Sequence, residues 1–205
     1  MTQQKTGFIH KNFFRMFALA VKEAAGNDSE RMLALCEIPN FELMKTPERL
    51  HFLSVYPFAR AFHQEYGLLA AQGMLVKAGR SFMKIAIREY PEDTGLFDPE
   101  FRMLPKPLRL FEGLHKLKRF FFEPQGISVN ITDGDVAWEF EILSIKAFDQ
   151  QDVDMLDCLS KFTTGMLQEF MMWSTGGKYY PVYESNRVMF SDEPVRFHID
   201  KKYIS

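Results

Sequence analysis

Residues 155–200 read MLDCLSKFTTGMLQEFMMWSTGGKYYPVYESNRVMFSDEPVRFHID, and the fold turns on how this stretch is parsed. Met155, Leu159, Phe162, Met166, Phe170 and Trp173 recur at steps of three and four, which lines large soft side chains along one face of a helix. Gly176 and Gly177 stop that helix, because a C-terminal cap calls for the left-handed backbone that glycine adopts without steric penalty. The period then changes from 3.6 to 2, so residues 179–186 and 195–200 read as two short strands joined by a polar turn. An apolar helix face of this width has to be covered, and a small sheet is the cover the sequence supplies.

Upstream, the same alternation recurs. Ile127, Val129 and Ile131 alternate with Ser128, Asn130 and Thr132; after the Asp133-Gly134-Asp135 turn, Val136, Trp138, Phe140 and Ile142 alternate with Glu139 and Glu141. The pair reads as an antiparallel hairpin with one wet face. Everything before it is helical in pattern. Phe14, Phe17, Ala18, Val21 and Ala25 mark a first helix with Asn12 as its N-cap, and Gly26-Asn27-Asp28 stops it. A short helix follows Ser29, and an irregular connection follows Ile38-Pro39. Thr46-Pro47 opens a helix that runs to Tyr66 with a break at Pro57. The longest helical pattern covers residues 67–90, with Gly79 inside it at a position suited to the close approach of another backbone or of a ligand. A loop over residues 91–101 leads to a fifth helix opened by Pro105 and Pro107. The fold class is therefore α+β, with helices packed on one face of a small antiparallel sheet. Residues 1–57 form an N-terminal helical region and residues 58–205 the main domain, the two making one compact unit.

The chain has 25 basic and 27 acidic residues, a net charge of −2, so no global field draws it to nucleic acid. No apolar run approaches the roughly 20 residues of a membrane span. Two cysteines without a pattern, Cys36 and Cys158, point to a reducing, cytoplasmic setting. The 21 Phe and 12 Met residues suit an adaptable apolar cavity as well as an ordinary core.

Chemistry is harder to find. Walker, dinucleotide, zincin and nucleophile-elbow motifs are all missing, and the reading leans away from an enzyme. His10, His51, His63, His115 and His198 are scattered. His115 stands out because it lies on the fifth helix among aromatic residues, where an inward-facing imidazole could bind a haem iron. Lys106, Arg109, Lys116, Lys118 and Arg119 give that helix a basic face, read as a solvated one. Glu184, Arg187 and Asp192 bracket the last turn as a pinning ion-pair cluster.

The order of these pieces resembles the 4-vinyl-reductase-like, or hydrocarbon-binding, domain, a relative of the small core subunits of the TRAPP trafficking complex. The resemblance rests on QEYGLLAAQGMLVKAGRSFMK, Cys158 before Gly165, LQEFMMW, Gly176-Gly177-Lys178, and a closing frame of Glu184, Arg187, Ser191, Asp192, Val195, Phe197 and Ile199. Arg187 and Val195 stand where zinc-binding relatives carry cysteines, so no metal is expected. The resemblance implies a non-catalytic domain that binds an apolar or aromatic small molecule as a sensory or carrier module, without a cofactor, and that pairs with itself as a homodimer. Phe111, His115, Trp138, Phe162, Met166, Phe170 and Trp173 are the ligand-binding candidates, and all seven also suit a packed core. Two alternatives remain: an assembly subunit resembling the TRAPP components, and a tetrapyrrole or haem module, since a distantly related fold class includes haem-based nitric-oxide sensors. Tyr183, Ser185 and Arg187 spell those sensors' Tyr-x-Ser-x-Arg propionate-binding pattern, but beyond the final helix, whereas in the sensors it follows the axial histidine more closely.

Overall fold

The computed structural model describes residues 6–35, 55–145, 153–185 and 194–204. Its helices are α1 (Thr6–Ala25), α2 (Ser29–Leu35), α3 (Val55–Tyr66), α4 (Leu68–Glu89), α5 (Pro91–Thr94), α6 (Pro99–Met103), α7 (Lys106–Leu117) and α8 (Val153–Ser174). Its strands are β1 (Ile127–Asp133), β2 (Ala137–Ile145), β3 (Val182–Glu184) and β4 (Val195–Asp200). The strands form one antiparallel sheet in the order β1-β2-β4-β3. The last strand therefore enters between the hairpin and β3. The α+β class expected from the sequence is the class observed.

Alternation decides which sheet face is buried. Ile127, Val129, Trp138, Phe140, Ile142, Val195, Phe197 and Ile199 all point into the core. The opposite face is polar and zipped by cross-strand pairs: Glu139 Oε1 lies 2.6 Å from His198 Nδ1, and Glu141 Oε1 lies 2.6 Å from Arg196 Nε. Such pairs fix register more than they add stability.

The helical layer is locked at one crossing. A Cβ placed on Gly79 of α4 would lie 2.9 Å from the Phe162 carbonyl carbon and 3.1 Å from the Met166 nitrogen of α8. Reciprocally, a Cβ on Gly165 of α8 would lie 2.9 Å from the Val76 carbonyl carbon and 3.0 Å from the Arg80 nitrogen of α4. Each glycine faces the other helix's main chain, so the two backbones touch, and the approach expected at Gly79 is helix on helix. Around the crossing, the Phe162 ring packs on Phe17 and Phe82 at 5.4 and 5.3 Å, and Phe82 meets Phe121 at 5.3 Å. Buried Glu169 of α8 takes Arg80 at 3.3 Å and Lys84 at 3.8 Å from α4.

Local detail goes beyond the expectations. Pro57 falls in the first turn of α3 as described, where its missing N–H would have had no intrahelical partner; the residues before Val55, on which the expected break depends, lie outside the described ones. Residues 91–101 hold the short helices α5 and α6, both opened by proline, instead of a plain loop. The fifth helix, α7, passes into a π-turn over Lys118–Phe122. Glu184 pairs with Lys161 of α8 at 2.5 Å; Arg187 and Asp192, proposed as its companions, lie outside the described residues, as do Thr46-Pro47 and His51, while His10 falls within α1. No described helix is long and apolar enough to cross a membrane.

Candidate functional site

The side chain with the clearest chemical potential is His115, and α7 determines how it is presented. The buried side of α7 is formed by Leu110, Gly113, Leu114 and Leu117. Gly113 is the tightest point: a Cβ there would lie 2.8 Å from Phe170 Cε2, nearer still to Phe170 Cζ, and 3.3 Å from Phe101 Cζ. At about 100° per residue, positions 111 and 115 fall on the flank opposite Gly113. That flank carries Phe111 and His115, both half-buried, and Leu108, which is 53% exposed. It is an apolar stripe with one imidazole in it.

The imidazole meets the edge of the Phe111 ring at 4.8 Å. Among the described residues it makes no hydrogen bond. Burial is the main force that holds its pKa below the ordinary histidine value; Lys118 and Arg119 push the same way, and Glu112 and Glu123 oppose them. The ring is thus biased toward the neutral form, with a lone pair that no described hydrogen bond engages. Those are the requirements of a metal-ligating histidine.

The other six candidates are distributed around the core. Phe170 closes on α7 from the side away from His115. Phe162 and Met166 lie against α4, at the glycine crossing. Trp138 is buried on β2 with its ring 6.5 Å from Tyr180, and half-buried Trp173 packs tilted against Phe97 at 5.4 Å. Phe111 and His115 are the pair the structure brings into contact. Of the basic face, Lys116 binds Asp98 at 2.9 Å, Lys118 reaches Glu123 at 3.7 Å, and Lys106 lies over the Tyr180 and Tyr203 rings at 5.5 and 5.4 Å.

Tyr183 and Ser185 face away from α7. They line an open cleft of about 600 Å³ on the polar side of the sheet, with Glu139, Glu141, Arg196, His198 and Asp200. Arg187 is outside the described residues. The tyrosine and serine of the downstream Tyr-x-Ser-x-Arg pattern are thus separated from His115 by the sheet itself.

No protein-family model matches the sequence, and no curated protein matches it. Solved structures do. An oxygen-binding H-NOX domain related to soluble guanylate cyclases, in its oxygen complex, superposes with a TM-score of 0.61 at 13% identity, over 96% of this chain and 97% of the other. A structure concerned with tuning haem redox potential through porphyrin distortion gives 0.63 at 13%, over 96% and 97%. The Fe(II) unliganded H-NOX mutant A71G from K. algicida gives 0.58 at 11%, over 94% and 96%. The fold is that of the H-NOX domains.

This likeness corrects three sequence-based expectations. The resemblance to 4-vinyl-reductase-like and TRAPP domains does not hold, because the chain superposes along nearly its whole length on H-NOX structures. The hydrocarbon-binding label falls with it. The expectation of no cofactor is also overturned, since solved structures that share the H-NOX fold are haem proteins by their own descriptions. The frame that suggested the earlier resemblance, Val195, Phe197 and Ile199, is the buried alternation of β4, which an edge-to-centre strand of many sheets would show.

Proposed function

We propose that this chain is a haem-binding sensory module that uses His115 as its iron ligand and responds to a diatomic gas. The observation that carries the reading is the state of His115: half-buried on an apolar flank, biased neutral and unengaged by any described hydrogen bond, in a fold whose solved examples include an oxygen-binding H-NOX domain. The residues present fit the group. Leu108 and Phe111 offer a planar macrocycle apolar contact on the same flank, and the imidazole offers one axial nitrogen. When bound, haem would supply an iron centre able to take up a small gas; the protein's part is to orient the imidazole and keep water from it.

A cytoplasmic location and self-pairing belong to the same proposal, the first supported by the two unpatterned cysteines and the second open to native mass spectrometry.

Titration of the purified haem-free protein with haemin tests the reading. A saturable Soret band is expected, lost in His115→Ala. A wild-type protein that gains no absorbance beyond free haemin would eliminate it.

A further inference from the structure

Resting on the haem reading above, we infer that Gly113 and Phe170 form a positioning contact that sets the height of α7 and, through it, the place of His115. Neither residue touches the imidazole. They act from the other side of the helix.

Gly113 leaves α7 resting directly on aromatic rings. A methyl group at this position would have to occupy space within 2.8 Å of Phe170 Cε2 and 3.3 Å of Phe101 Cζ. Both rings are held. Phe170 is fully buried on α8, the helix locked to α4 through the Gly79 and Gly165 crossing, and Phe101 is buried beneath Lys116, whose ammonium lies 5.3 Å from its centroid. A close-packed interior relaxes only partly when a group is inserted. The element free to give is α7, whose opposite flank is the half-open one.

The displacement has a defined direction. Gly113 and His115 are two residues apart on a rigid helix and face opposite ways, so lifting α7 off Phe170 carries the imidazole outward along its own direction of projection. The C-terminal end of α7 cannot follow freely, because the π-turn behind it buries Phe120, Phe121 and Phe122. The edge of the Phe170 ring therefore sets the distance between the imidazole and whatever it binds. A metal bond is sensitive to displacements of a few tenths of an ångström, so the contact tunes the ligand without contacting it.

The test uses the full chain and three variants: Gly113→Ala, Phe170→Leu, and the double variant, in which the smaller leucine makes room for the added methyl. In the haem-free protein, the His115 ring resonance is followed by NMR. It is expected to move in Gly113→Ala and to return in the double variant. In the haem-loaded protein, haem affinity is expected to fall about tenfold or more in Gly113→Ala, with a shifted iron–histidine stretching frequency by resonance Raman, both restored in the double variant. Unchanged His115 resonance in a folded Gly113→Ala protein overturns the inference, as does a shift that the double variant fails to reverse. If the wild type binds no haem, the proposed function fails, while the resonance experiment still decides the positioning contact.

Discussion

At the scale of single residues, the glycines separate packing from propensity. Gly79 and Gly73 lie on the same helix, within two turns of each other, and both are unfavourable to a helix by about 1 kcal/mol relative to alanine. Their surroundings differ completely. A Cβ at Gly73 meets nothing within 4 Å, whereas one at Gly79 meets the main chain of α8, which no rotamer change can move aside. Gly73→Ala is therefore expected to leave the protein unchanged or raise its stability by up to about 1 kcal/mol. Gly79→Ala is expected to lower it by about 1–3 kcal/mol as the helices are forced apart. Thermal denaturation of the two variants side by side reads both signs; a neutral Gly79→Ala would mean that the two backbones are not in contact at the crossing.

At the scale of elements, what the sequence could disclose depended on whether one face of an element was wet. The limits of β4 and the core of the hairpin were legible because Glu139, Glu141, Arg196 and His198 keep the alternation clean on the polar face. α5 and α6 were not, since four or five residues cannot display a period of 3.6. The π-turn was hidden for a different reason. Phe120, Phe121 and Phe122 are all buried because the segment is wedged between layers, with Phe121 against Phe82 of α4 and Phe122 against Phe140 of β2, so no single-face pattern applies. His115 was legible as an interesting side chain, but the flank it occupies was not, because that follows from where Gly113 meets Phe170. The C-terminal segment supplies a prediction of its own. The Lys178 ammonium beside the Tyr203 phenol, its Nζ 3.9 Å from the ring centroid, holds the Tyr203 pKa below the usual tyrosine value with help from Lys106. The folded chain thus releases that proton before the unfolded chain does, so this group favours the folded state increasingly as pH rises through the window between the two values. Ultraviolet titration should show one early phenolate that Lys178→Met returns to the ordinary range. Tyr66 should titrate late, because its hydroxyl donates to Asp28 at 2.7 Å.

At the scale of the whole molecule, the H-NOX fold and an unrelated α+β domain present much the same sequence outline: helices, a hairpin, a long helix and closing strands. Alternation and helical period report which faces are buried, and many topologies bury the same faces, so the outline fixed the class and left the family open. The arrangement that distinguishes this chain is global, a glycine-locked helical layer and a sheet with α7 suspended between them by one face. Such a suspended helix has low local stability until its open flank is filled, and a group that binds the folded state alone stabilises it by mass action. Haem at about one hundred times its dissociation constant is expected to add about 2.7 kcal/mol, raising the melting temperature and slowing amide exchange in α7 more than in α4. The gain carries a pH signature. Coordination needs the neutral imidazole, which burial already favours. As pH falls through the histidine range, the unfolded chain takes up the His115 proton first, and further acid protonates the folded ring in competition with iron. The melting-temperature increment is therefore expected to be full above about pH 7 and to shrink progressively below about pH 6, with His115→Ala abolishing both the increment and its pH dependence. An increment that persists unchanged in His115→Ala would place the iron ligand elsewhere in the chain.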